Sequence, residues 1–204
     1  FAWTRAKSAG TRFLFCPTPY CDRMDRAQHG GPSYLDDMGR WLHEEIDILW
    51  TGPEIVSPEI PVASIERLSR RIGRLPVLWD NLFANDYDFR GLHCGPYSGR
   101  SRELRHAVRG ILINPNNEYP INFIPLQTVA SYLHRDGEWN PRQRFLSAIR
   151  EWQPFFDTVT GPWTEDDLLL LCDCFYLPHE EGPAAKQLLE LIHRLLAAPV
   201  DTWG

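Results

Sequence analysis

The sequence lacks several features that would place it at once in a common class of protein. No apolar run approaches the ~20 residues that a membrane-spanning helix needs, and no secretory signal peptide is recognisable. The net charge is −6, with acids and bases interspersed. The densest basic stretch, "RLSRRIGR" at residues 67–74, is typical of the solvated face of a helix. The sequence therefore predicts neither a membrane anchor nor a nucleic-acid-binding surface.

Cysteine and histidine are present without the spacing that disulfides or metals require. The five cysteines are odd in number, and we expect free thiols in a reducing compartment, the cytoplasm. "CDC" at residues 172–174 has the wrong spacing for a zinc knuckle, and the seven histidines form no HxxxH or HxH pair. We therefore expect no metal and no cofactor. Because the chain begins with Phe1 rather than Met, we also expect a piece of a longer protein.

The chain does contain enough apolar residues for a core. Of its 204 residues 43% are hydrophobic, which suits one domain, or one domain with an appendage. Four short apolar runs, each followed by turn residues, are typical of strands buried on both faces. Amphipathic helical patterns lie between and after them. The predicted strands cover residues 12–17, 46–53, 75–81 and 108–116, and the helices cover 33–45, 61–73, 101–108 and 122–135.

Strands and helices alternate at intervals of about 30 residues, which predicts βα units and a parallel sheet. No glycine-rich phosphate turn follows the first strand, as a dinucleotide-binding fold would require. Instead, aromatic and polar residues gather where the strands end, and active sites of (β/α)8 barrels lie at that edge. We therefore expect an α/β fold, a (β/α)8 TIM barrel of which this chain supplies about the last four βα units. The strand-end residues are Tyr20, Trp50, Thr51, Trp79, Asn81 and Asn114.

The remainder of the chain is helical in pattern. Residues 141–152 begin with proline, and residues 182–198 are amphipathic. Between them, residues 164–177 have Thr164 in the N-cap position and Asp167 in the capping-box position. We predict three parts: half of a barrel over residues 1–135, a connecting helix and linker over 136–163, and a helical segment over 164–204.

The stretch "WDNLFANDYD" at residues 79–88 combines an aromatic ring with carboxylates and amides. Sugars suit this combination, because their C–H faces pack on aromatic rings and their hydroxyls bind carboxylate and amide groups. Asp86 can accept from two adjacent hydroxyls, Asn81 and Asn114 can each donate and accept, and Trp79 can pack on a small apolar group. Taken singly, these residues are better explained as turns or strand ends, whereas the set at one edge favours a sugar site.

Five motifs carry a family resemblance. "FLFCPTPYC", "ILWTGPEIVSPEIPV", "LWDNLFANDYD", "GPYSGRSREL" and "GILINPN" closely resemble the protein O-GlcNAcases, which are family 84 glycoside hydrolases. The resemblance is collinear over about residues 12–135 and weaker over 136–163. "DLLLLCDCFYLPHEEGP" resembles the start of the helical stalk of this family, so we expect residues 164–204 to be a stalk segment.

The resemblance implies a retaining β-N-acetylglucosaminidase that removes O-linked N-acetylglucosamine (GlcNAc) from Ser and Thr of proteins. In this family the acetamido oxygen of the substrate attacks the anomeric carbon and forms an oxazoline, while two adjacent acids transfer the protons. The implied partners are a GlcNAc-bearing protein or glycan, the N-terminal half of the same barrel, and a second copy bound through stalk helices. The implied location is cytoplasmic, and in a eukaryote also nuclear.

By the resemblance, the two catalytic acids end a strand that precedes the first strand seen here. We therefore expect no catalytic residue in this chain. Its own acid pairs occupy residues 36–37, 44–45, 166–167 and 180–181. The first and third fall in the first turns of predicted helices, where acids favour the helix dipole, and none ends a strand.

The positions that match the family are substrate-binding ones. Tyr20 is implied to line the acetamido pocket and to stabilise the oxazoline-like state, and Trp79 to pack on the acetyl methyl. Asn81 is implied to bond near the acetamide, with Asp80 beside it. Asp86 is implied to hold the distal hydroxyls of the sugar, assisted by Asn114.

Two alternatives stay open at this level: a bacterial hyaluronidase-like N-acetylhexosaminidase that acts on glycans, and a sugar-binding fragment without hydrolysis. We further expect the isolated half-barrel to expose sheet edges and to lack turnover. The helices from Thr164 onward are expected to pair with another chain or with an earlier segment, because the apolar stripe over residues 188–196 is long.

Overall fold

The computed structural model describes residues 10–88, 91–134, 137–158 and 161–200, which divide into two compact units. The first unit contains the chain up to residue 82 together with residues 98–114. The second contains residues 83–97 and the chain from residue 115 onward. No helix within the described ranges has the length and apolar character to cross a membrane.

Four parallel strands form the sheet of the first unit. They are β1 (Phe13–Phe15), β2 (Ile46–Trp50), β3 (Val77–Asp80) and β4 (Gly110–Ile113), and they are neighbours in chain order. The pairing places Phe13 opposite Ile46 and Asp80 opposite Ile113. This confirms the predicted α/β fold with a parallel sheet and βα order. Closure into a (β/α)8 barrel stays a prediction.

The helices of the first unit are α1 (Asp22–Arg26), α2 (Tyr34–Trp41), α3 (Val62–Ile72) and α4 (Leu104–Ala107). Helix α3 follows its pattern closely, because Ile65, Leu68 and Ile72 recur on one face and are buried. Gly73 ends it with φ 68°, a left-handed conformation that glycine adopts without strain. Helix α1 was not predicted from the sequence, and α2 ends earlier than predicted because Leu42 is extended.

Burial differs between the inner and the outer strands of the sheet in this chain. Strand β2 is almost wholly buried, whereas Leu14 of β1 is 51% exposed and Leu112 of β4 is 39% exposed. The reason is topological. Strands β1 and β4 are the two edges of the sheet, so each has only one neighbouring strand among the described residues.

The second unit is mainly helical. Its helices are α5 (Phe123–His134), α6 (Pro141–Trp152), α7 (Glu165–Cys174) and α8 (Pro183–Ala197), with single 3-10 turns at Tyr119–Asn122 and Gln153–Phe155. Strands β5 (Asp157–Thr158) and β6 (Gly161–Pro162) pair antiparallel in a second, two-stranded sheet. The predicted bounds of α6 are confirmed. The predicted capping box is also confirmed, because Asp167 N donates to Thr164 Oγ1 and Thr164 N donates to Asp167 Oδ2.

A buried ion pair joins three helices of this unit. Asp173 of α7 is fully buried, and Arg142 of α6 donates to both of its oxygens at 2.6 and 3.0 Å. Ala184, in the first turn of α8, donates its N–H to the same carboxylate at 2.8 Å. Gly182, the residue before α8, lies so close to Asp173 that a Cβ at this position would be 2.3 Å from Asp173 Oδ1. One carboxylate therefore sets the packing of α6, α7 and the start of α8.

Helix α8 leaves most of its apolar stripe uncovered within the second unit. Only Ala185 of this helix is buried, while Leu191, Leu195 and Leu196 are 54%, 49% and 67% exposed. Apolar patches of this kind are typical of association surfaces. Pairing of this stripe with another chain or an earlier segment stays a prediction.

Candidate functional site

The carboxyl ends of β3 and β4 place two asparagine amides against each other. Asn81 and Asn114 directly follow neighbouring parallel strands, so they emerge at the same edge of the sheet. Asn114 N donates to the Asp80 carbonyl at 2.9 Å, which extends the strand pairing by one bond. Asn114 Nδ2 donates to Asn81 Oδ1 at 3.0 Å. The structure therefore brings together two of the residues that the sequence predicts for a sugar site.

The hydrogen bonds of the pair leave definite groups for a ligand. Asn81 Nδ2 donates to the Ile55 carbonyl at 2.8 Å, which fixes the direction of its amide. Among the described residues Asn114 Oδ1 accepts no hydrogen bond, so it is an available acceptor. Each amide nitrogen also keeps a second hydrogen. The pair can therefore donate to and accept from an acetamido group.

Trp79 supplies an apolar surface beside these amides. It is 40% exposed, whereas its neighbours in β3, Leu78 and Asp80, are fully buried. An exposed indole next to fixed amides offers a flat face for a methyl group or a sugar ring.

Asp80, which the resemblance placed beside the Asn81 contact, forms a buried ion pair. It is 0% exposed, and Arg100 donates to it twice, from Nη2 to Oδ1 at 2.6 Å and from Nε to Oδ2 at 2.8 Å. Leu82 N also donates to Oδ1 at 3.2 Å. In the described chain Asp80 is therefore a structural carboxylate, without a surface that a sugar hydroxyl could reach.

Arg100 extends this arrangement to the loop after β2. Its remaining N–H groups donate to the carbonyls of Ser57, Pro58 and Ser98 at 2.8 to 2.9 Å. Gly99 packs so closely that a Cβ would lie 2.0 Å from the Pro58 oxygen. The residues 98–100 thereby tie residues 57–58 to the end of β3. Sequence reasoning missed Arg100, and the only signal was its place within the family motif "GPYSGRSREL".

Tyr20 is held at the carboxyl end of β1 through its main chain. Its carbonyl accepts hydrogen bonds from Thr51 N at 2.8 Å and from Thr51 Oγ1 at 3.2 Å. The side chain is half-buried, and its hydroxyl makes no hydrogen bond among the described residues. No hydrogen bond joins Tyr20 to the amide pair in the described ranges; its place beside them in a site stays a prediction.

Asp86 belongs to the second unit. Its side chain is exposed, and it makes no hydrogen bond or ion pair with any described residue. Asp88 is half-buried, and its N–H donates to the Asn85 carbonyl at 3.1 Å, which forms a tight turn with Asp86 and Tyr87 at its centre. The carboxylate of Asp86 is therefore available for a ligand, while Asp88 has a role in the turn.

A buried histidine lies shortly after this turn. His93 is 7% exposed, its N–H donates to Asn116 Oδ1 at 2.8 Å, and its carbonyl accepts from Asn116 Nδ2 at 2.9 Å. Burial lowers the pKa of His93, an effect that the nearby Asp88 opposes and His179 strengthens. The imidazole is thus neutral at physiological pH.

Two of the four acid pairs of the sequence lie where the helix patterns predict. Asp36 and Asp37 occupy the first turn of α2, and Asp166 and Asp167 the first turn of α7. Arg71 donates to Asp36 and, by this hydrogen bond above all, lowers the pKa of that carboxyl. In the described ranges no group of three or more His, Cys, Asp or Glu side chains is arranged to hold a metal ion.

Comparison with known proteins identifies the family of this chain. The chain belongs to the beta-N-acetylglucosaminidase family, which it matches over residues 1–171. Protein O-GlcNAcase from rat and from mouse are each 48% identical to it over 120 residues. That match covers 59% of this chain and 13% of either relative, so the chain spans a small part of the length of these relatives.

Two solved structures align with most of this chain. A variant of the Thermobaculum terrenum O-GlcNAc hydrolase aligns with a TM-score of 0.73 and 27% identity, covering 97% of this chain and 41% of that one. The protein solved as CpGH84B has a TM-score of 0.72 and 19% identity, covering 93% and 33% of the two chains. The second likeness shows the fold alone.

Proposed function

We propose that this chain is part of a retaining β-N-acetylglucosaminidase that removes O-linked GlcNAc from Ser and Thr of proteins, and that it supplies the sugar-binding half of the site. The observation that carries the proposal is the bonded pair of Asn81 and Asn114 amides beside the half-exposed Trp79, at the carboxyl ends of two parallel strands. The names of the relatives, O-GlcNAcase and O-GlcNAc hydrolase, support the same substrate.

In the proposed mechanism the substrate supplies its own nucleophile. The acetamido oxygen attacks the anomeric carbon, the bond to the Ser or Thr oxygen breaks, and an acid protonates that oxygen. Water then opens the resulting oxazoline and restores the acetamido group with retained configuration. Two adjacent acids outside this chain would transfer the protons.

The residues of this chain would hold the acetamido group in its reactive orientation. Trp79 would pack on the acetyl methyl, and the Asn81 and Asn114 amides would bind the amide of the sugar. Tyr20 has an uncommitted hydroxyl, which would donate to the oxygen that becomes part of the oxazoline ring. Groups fixed before the substrate binds need no reorganisation during the reaction, which is why amides locked by Ile55 and by each other suit this role.

The proposal also includes the other half of the barrel, the stalk and a second copy of the protein. The N-terminal half of the barrel would pair with the exposed strands β1 and β4, and residues 164–204 would form a stalk segment after the linker at 136–163. The uncovered face of α8 would be the contact with a second copy, in a homodimer.

The amide pair can be tested in the intact enzyme. Asn81→Ala should lower kcat/KM for an aryl β-GlcNAc substrate by about 10²-fold, the effect of removing one preorganised hydrogen-bonding group at a reacting centre. Asn140→Ala is the matched control, because Asn140 caps α6 and should contribute only ~1 kcal/mol of stability. An Asn81→Ala enzyme that stays folded and keeps more than a tenth of the wild-type activity would contradict the proposal.

Asp86 can be tested against Asp88, two residues away. The exposed Asp86 carboxylate, which has no hydrogen-bond or ion-pair partner among the described residues, would accept two sugar hydroxyls. Charge-assisted bonds contribute roughly 1.5–3 kcal/mol each. Asp86→Ala should therefore lower kcat/KM by about two to three orders of magnitude, since ~1.4 kcal/mol is a factor of ten. Asp88→Ala should mainly affect stability. A larger kinetic loss in Asp88→Ala, with both variants folded, would refute the assignment.

A further inference from the structure

Asn85, the residue before Asp86, is buried and uses its whole amide within the second unit. It is 1% exposed. Its Nδ2 donates to the Gly91 carbonyl at 2.9 Å and to Glu118 Oε2 at 2.7 Å, while its Oδ1 accepts from Asn117 N at 2.8 Å. The side chain therefore closes the turn that contains Asp86 and ties that turn to residues 117–118.

The Asn85 bonds matter because Asp86 has none of its own. No described residue orients the Asp86 carboxylate by a hydrogen bond or an ion pair. Its position follows from the main chain of the turn, in which Asp88 N donates to the Asn85 carbonyl and Gly91 N donates to the Asp88 carbonyl. A carboxylate that binds two hydroxyls at once must be held to within about half an ångström. We infer that the side chain of Asn85 holds the turn, and with it the Asp86 carboxylate, in that position.

Glu118 accepts one of the hydrogen bonds of the Asn85 amide, and the main chain around Glu118 is itself fixed by hydrogen bonds. Asn122 Nδ2 donates to the Asn116 carbonyl at 2.9 Å, and Asn122 Oδ1 accepts from Asn116 N at 2.9 Å. These bonds fix residues 116–122 at the start of α5. The bond from the Asn85 amide to the Glu118 carboxylate is charge-assisted, and such bonds are the stronger class.

We propose that Asn85, through Glu118, is a positioning residue that sets the Asp86 carboxylate for the distal hydroxyls of the sugar. The proposal rests on the proposed function, in which Asp86 binds those hydroxyls. It predicts a signature that a general structural role lacks. The effect of changing Asn85 or Glu118 should disappear on a substrate that has no distal hydroxyls.

The test compares an aryl β-GlcNAc substrate with its 4,6-dideoxy analogue in the intact enzyme. Glu118→Ala removes the charge-assisted bond at an exposed position, so folding should be preserved; kcat/KM should fall about tenfold on the parent substrate, mainly through KM. Asn85→Asp places a carboxylate against Glu118 and should cost about 10²-fold. On the 4,6-dideoxy analogue both losses should shrink to within about threefold.

Two further variants make the test specific. Asn85→Asp combined with Glu118→Gln restores a donor–acceptor pair between the two side chains with its direction reversed. It should recover part of the activity lost by Asn85→Asp alone, because the bond to the Gly91 carbonyl stays lost. Asn117→Ala is the matched control, because the bond from residue 117 to Asn85 comes from its main-chain N–H. This control should stay within about threefold of wild type on both substrates.

The outcomes separate the two claims. Equal losses on both substrates for Glu118→Ala and Asn85→Asp, or no loss on either, would overturn the positioning role while Asp86→Ala still distinguishes the substrates. An Asp86→Ala enzyme that loses the same factor on both substrates would overturn the assignment of Asp86, and the positioning role with it.

Discussion

The buried pair of Arg100 and Asp80 should dominate the stability of the first unit. Both side chains are 0% exposed, and the guanidinium makes two short bonds to the carboxylate and three to main-chain carbonyls. Arg100→Met removes the cation and leaves the Asp80 charge buried without its guanidinium partner. Breaking a buried pair in this way costs about 3–5 kcal/mol.

A second arginine provides the control. Arg109 is 56% exposed and pairs with Asp47, which also has Arg12 as a partner. Removing Arg109 therefore leaves no unpaired carboxylate, and Arg109→Met should cost at most about 1 kcal/mol. Near the midpoint, 1 kcal/mol corresponds to about 2–4 °C for a chain of this size, so Arg100→Met should lower Tm by roughly 10 °C and Arg109→Met by a few degrees at most.

The assay is thermal and urea unfolding of both variants in the intact protein. A third variant, Arg100→Met with Asp80→Asn, removes the stranded charge and should be more stable than Arg100→Met alone. An Arg100→Met protein that is no less stable than Arg109→Met would refute the role given to the buried pair. A double variant less stable than Arg100→Met would refute it as well.

Two other properties should respond to single changes. Burial lowers the pKa of His93 below its usual value of about 6.5. The stability that the neutral imidazole contributes is therefore complete above that pH and falls as the pH drops toward the lowered pKa. His93→Gln should flatten the dependence of the unfolding free energy on pH, measured by urea titration, and an unaltered dependence would contradict the role of burial. If a second copy covers α8, Leu195→Glu should convert a dimer to a monomer in light scattering while the exposed Glu190→Gln does not, and an unaffected dimer would exclude this face as the contact.

The sequence predicted those helices and helix ends that depend on residues a few positions apart. The apolar stripe of α3, the proline at the start of α6 and the reciprocal bonds of Thr164 and Asp167 each depend on residues within a few positions of one another. The order of the strands followed from their alternation with helices. The juxtaposition of Asn81 and Asn114 followed as well, because parallel neighbours end at the same edge.

The pattern misled where exposure depends on distant neighbours. The apolar run of β1 is as hydrophobic as that of β2, yet Leu14 is half exposed because β1 lies at an edge of the sheet. Asp80 has the same local setting as a site residue, between Trp79 and Asn81. Its burial comes from Arg100, 20 positions away, whose approach requires Gly99 to contact the loop after β2.

The sequence by itself thus determined the α/β class, the order of its βα units, the membership of a sugar-hydrolase family and most residues of the candidate site. Helical periodicity, capping and the alternation of strands with helices depend on residues that are close in sequence, so they can be recognised in a single sequence. Only the tertiary structure decided which polar groups remain available to a ligand. It committed Asp80 to Arg100 and Asn85 to Glu118. The side chains of Asn114 and Asp86 keep acceptor oxygens that no described residue uses. The physical reason is that a buried polar group takes its partners from whatever the fold brings close to it, at any separation along the chain.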